Sequence, residues 1–62
     1  MKTVTWKVEF KNNCGQWESW CAESNDRERE LKHLLRKRKG YPTVESRLVR
    51  IETTVVETVE DV

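Results

Sequence analysis

His33 is the only histidine in this chain of 62 residues. The only glycines are Gly15 and Gly40, so there is no glycine-rich loop to cradle a phosphate, and no nucleophile elbow can be drawn. A chain this short also struggles to enclose a cleft that excludes water. We expect no catalytic activity. The only soft metal ligands are Cys14, Cys21 and His33, scattered over separate segments, whereas a structural zinc site wants about four. We expect no metal and no cofactor. Long apolar runs are missing too, which excludes a recognisable signal peptide and a membrane span. We read the protein as cytoplasmic, with its two cysteines as free thiols in a reducing compartment. A net charge of +1 gives no global field for nucleic acid or for an acidic target, and argues against an acidic mimic of DNA.

What is present is organised around residues 24–40. Leu31, Leu34 and Leu35 recur at helical spacing, and the stems of Arg27 and Arg38 can widen that narrow stripe. Ser24 or Asn25 can cap the N-terminus, and with Asn25 as cap Glu28 occupies the capping-box position. Acids open this stretch, and the run Arg36, Lys37, Arg38 and Lys39 closes it, as the helix dipole favours. Gly40 is expected to take the left-handed ending, with Pro42 preventing resumption and Tyr41 folding back onto Leu35.

Residues 3–11 alternate strictly. Val4, Trp6, Val8 and Phe10 point one way, and Thr5, Lys7, Glu9 and Lys11 the other. Asn12, Asn13, Cys14 and Gly15 read as a hairpin turn, and residues 16–22 as the return strand. Counting all of 12–15 as the loop pairs Phe10 with Trp17, Val8 with Ser19 and Trp6 with Cys21. Trp17 then faces the helix, and Trp20 faces solvent across from Lys7.

After a connection at 43–46, residues 47–60 are rich in β-branched side chains and read as one long strand. At ~3.3 Å per residue it spans roughly 46 Å, longer than either hairpin strand. Its second half is expected to overhang the sheet, and must fray, bend around it, or pair with another chain as a dimer arm. The expected fold is α+β, a single domain over 1–62 of order ββαβ: a three-stranded antiparallel sheet with one helix packed on one face.

Two surfaces follow from this reading. Trp20, Lys7, Val55, Val56 and Val59 are candidate partner-binding residues, because an exposed tryptophan suits a protein hot spot and a β-branched edge is a template for pairing. The expected partners are a second copy of the chain, as a homodimer, and another protein. Arg36, Lys37, Arg38 and Lys39 are candidate phosphate contacts, the alternative being a small nucleic-acid-binding protein that uses the basic helix end. A basic run at that place also simply complements the helix dipole.

In size and in strand–strand–helix–strand order, residues 3–60 resemble small accessory proteins encoded by bacteriophages and prophages, such as short inhibitors of host RNA polymerase or of uracil-DNA glycosylase. That resemblance implies a non-catalytic protein that works by binding.

Overall fold

The computed structural model describes residues 3–62. Its elements run β1 (Val4–Lys11), β2 (Trp17–Ser19), α1 (Arg27–Gly40), β3 (Ser46–Glu52) and β4 (Val56–Glu60). The strands form one antiparallel sheet in the order β2-β1-β3-β4. The chain is a small α+β domain, with four strands where three were expected and the order ββαββ.

The difference lies at the C-terminus. Residues 47–60 do not form one overhanging strand. Thr53 and Thr54 both hold positive φ, at 54° and 60°, and the Val55 N–H donates to the Glu52 carbonyl at 3.3 Å. Two successive left-handed residues are the signature of a tight hairpin turn. The chain folds back there, and β4 pairs with β3 from Glu52 opposite Val56 to Leu48 opposite Glu60. No glycine or asparagine announces the turn. Pairing backbone groups that an overhang would have left to solvent is what drives the return.

The first hairpin also differs, by one residue. Asn12 belongs to the ladder and not to the loop: its N–H donates to the Gln16 carbonyl at 2.8 Å. Its side-chain oxygen accepts from the N–H groups of Cys14 and Gln16, both at 2.9 Å. The loop is therefore Asn13, Cys14 and Gly15, with Gly15 left-handed at φ 81°. Lys11 now pairs with Trp17 and Glu9 with Ser19. A slip of one residue moves every side chain to the other face. Trp20 comes to the helix side, its N–H donating to the Val8 carbonyl at 3.0 Å, and Trp17 goes to the outer side.

The core is Val8, Leu34 and Leu48, with Trp6, Trp20 and Leu31 packed against it. The helix lies over β1 and β3. Asp26 is its N-cap, in place of Ser24 or Asn25: its carboxylate accepts from the Arg29 N–H at 3.2 Å. Ser24 is held instead in a bridge to Trp6, which covers the edge of β1 beyond β2. Gly40 is helical, and the cap is Tyr41, whose N–H donates to the Lys37 carbonyl at 2.8 Å. Tyr41 leans on Trp20, at 6.1 Å between ring centroids. No helix among the described residues is long and apolar enough to cross a membrane.

Candidate functional site: the β4 edge and its surroundings

Among the described residues β4 has β3 on one side and no strand on the other. The opposite end of the sheet is β2, only three residues long and continued by the Ser24 bridge. Among the described residues, β4 is thus the long strand with a free edge. Three of the expected partner-binding residues lie there. Val55 is 82% exposed, Val56 53% and Val59 50%. Val55 caps the turn. Val56 faces the helix side, being opposite Glu52, and Val59 faces the outer side, being opposite Val49.

The acids that could blunt this edge are already engaged within the chain. Glu60 accepts from Arg27 at 2.9 Å, and Glu57 from Lys7 at 3.4 Å. The Arg38 guanidinium donates to the Val62 carbonyl at 2.8 Å and to the Ser46 carbonyl at 3.1 Å, fastening the C-terminal residues to the helix.

Trp20 and Lys7 are not available in the way the sequence suggested. Trp20 stacks on Phe10 with ring centroids 4.8 Å apart and has Lys37 5.4 Å above its ring. It is a partly buried aromatic packed against the core, brought inward by the shift at Asn12. Lys7 lies in a covered network on the outer face, 3.2 Å from Glu9 and 3.4 Å from Glu57. Arg47 closes the other side of Glu9 at 2.7 Å and lies 4.1 Å from the Trp17 ring. Burial alone pulls the Lys7 ammonium down, but Glu9 and then Glu57 outweigh it and hold its pKa above the ordinary value. That network covers Val49 and Ile51, which are buried on the sheet face away from the helix.

The basic run of the helix end is split by the same geometry. Lys37 covers Trp20 and Tyr41, and Arg38 is tied to Ser46 and Val62. Only Arg36 and Lys39 face solvent freely. They share their side of α1 with Arg29 and Lys32, which a reading centred on consecutive cations does not bring out. The signal was present as spacing: 29, 32, 36 and 39 repeat at helical intervals.

Next to this side of the helix, and sharing Arg29 with it, an open cleft of about 650 Å³ is lined by Thr3, Thr5, Cys21, Ser24, Glu30 and His33. The Cys21 thiol donates to Glu30 at 3.6 Å. Burial first, then the Glu30 carboxylate, push this thiol above its ordinary pKa, opposite to what activates a nucleophile. Cys14 and Cys21 are both free thiols. Among the described residues no three His, Cys, Asp or Glu side chains are grouped to hold a metal.

No protein-family model matches the chain, and no curated protein or solved structure matches it at a significant level.

Proposed function

We propose that this chain is a non-catalytic protein-binding module whose contact element is the β4 edge, and that its first partner is a second copy of itself. The observation that carries the reading is a free five-residue edge strand whose valines are at least half exposed. Strand addition takes its affinity from backbone hydrogen bonds, which such an edge offers unpaired.

The sequence of β4 suits pairing with its own copy. In an antiparallel two-fold arrangement centred on Thr58, Val56 falls opposite Glu60 of the other copy and Glu57 opposite Val59. Thr58 meets its own equivalent, a favourable cross-strand pair. No two carboxylates lie directly opposite, and each edge glutamate keeps its intrachain cation. The two sheets would join along β4. The fourth strand departs from the ββαβ order on which the likeness to phage accessory proteins stands, so the proposal rests on the edge alone.

Val56→Lys with Val59→Lys tests it. Both positions are exposed, so the fold should tolerate the change within roughly 0.5 kcal/mol. Light scattering after size exclusion is expected to give twice the 7.4 kDa chain mass for the wild type and a single chain mass for the variant. A wild type that runs as one chain at millimolar concentration would overturn the self-pairing.

A further inference from the structure

We propose that the solvent face of α1 is a binding surface for the phosphate backbone of duplex nucleic acid, formed by Arg29, Lys32, Arg36 and Lys39. At about 100° per residue these four side chains fall within an arc of roughly 80°. No other residue of the helix lies in that arc, and exposed Glu28 and Leu35 border it on one side. At ~1.5 Å rise per residue the stripe extends about 15 Å along the axis.

All four residues are exposed, and none of them makes an ion pair among the described residues. The other cations of the helix are spent. Arg27 holds Glu60, Lys37 covers the Trp20 ring, and Arg38 holds Ser46 and Val62. A net charge of +1 thus conceals an uneven surface: the unpaired cations run along the helix, with Asp26 and Glu28 beside their N-terminal end and Glu57, Glu60 and Asp61 at the far edge of the sheet.

Charge complementarity selects the partner. Phosphates at close, regular spacing are matched by several unpaired cations in line, and releasing counterions drives the contact. The major groove is about 12 Å wide and admits a helix of this girth. The stripe has no asparagine or glutamine to read adenine, and its four cations are assigned to phosphates, contacts that position the duplex. A membrane surface is the poorer fit. An interfacial helix inserts an apolar face, and α1 has committed Leu31 and Leu34 to the core. The proposal does not depend on pairing through β4, which leaves this face open.

The test is fluorescence anisotropy with a labelled 20-base-pair DNA duplex of arbitrary sequence across a salt series. Four phosphate contacts predict a slope of about −3.6 in log affinity against log salt, or roughly 150-fold weaker binding between 50 and 200 mM. Lys32→Ala with Arg36→Ala is expected to halve the slope to about −1.8. Lys11→Ala, on the outer face of the sheet, is expected to leave the slope unchanged. Circular dichroism confirms that each variant is folded. No binding at 50 mM salt, a double variant that binds as the wild type does, or tighter binding to polyglutamate or to phosphatidylserine vesicles than to the duplex would each overturn the proposal.

Discussion

Thr53 and Thr54 sit in a backbone region that L-residues enter at a cost of about 1–2 kcal/mol each, and β-branched residues enter it least readily. Each hydroxyl donates to the carbonyl before it, at 2.7 and 2.6 Å, which partly steadies the turn. Thr53→Asn with Thr54→Gly supplies the residues this turn prefers. We expect the double variant to be more stable by about 1–2 kcal/mol, the relief of strain exceeding the added chain entropy of glycine. Urea unfolding measures it, and an unchanged midpoint would contradict the turn as described. These two residues also explain why the hairpin could not be read beforehand. Turn prediction relies on glycine, asparagine and proline, and a threonine pair between β-branched neighbours reads as unbroken strand.

At the scale of the element, the helix and β1 were legible because periodicity fixes them: Leu31 and Leu34, and Val4 to Phe10, appear where their spacing places them, whereas Leu35, expected on the same stripe, is 53% exposed at its edge. The register of the first hairpin was not, because it depends on whether one side chain, Asn12, bonds within the loop or joins the ladder. One atom's hydrogen bonds decide which of Trp17 and Trp20 enters the core. The consequence is measurable. Trp20→Ala should cost about 3 kcal/mol or more, as for an aromatic packed against the core, because it removes the Phe10 stack and core packing. Trp17→Ala should cost less, about 1–2 kcal/mol, the worth of a half-buried guanidinium–aromatic contact. Chemical denaturation of the two variants checks this, and the reverse order would restore the unshifted register. At the same scale, the valines at 55, 56 and 59 kept their expected exposure although their strand did not overhang. Folding back made β4 the outermost strand, so it moved the free edge without removing it.

At the scale of the whole molecule, two surfaces face different directions. The sheet ends in an edge with unpaired backbone groups, and the helix presents cations that the chain leaves unpaired. Composition averages these into a nearly neutral protein, so the unevenness becomes visible only once the helix is wound and its inner cations are assigned to Glu60, Trp20 and Ser46. A domain of this size has a small core, and joining two sheets through β4 would enlarge its stabilising contacts without new apolar residues. The most direct measurement is residue-resolved hydrogen exchange over a dilution series. Alternate amides of Val56–Glu60 point away from β3 and have no strand beside them among the described residues. If β4 pairs with its copy, these amides exchange slowly at high protein concentration and lose protection on dilution, while those of β1 and β3 do not change. Equally fast exchange of the outward β4 amides at every concentration would contradict pairing along this edge.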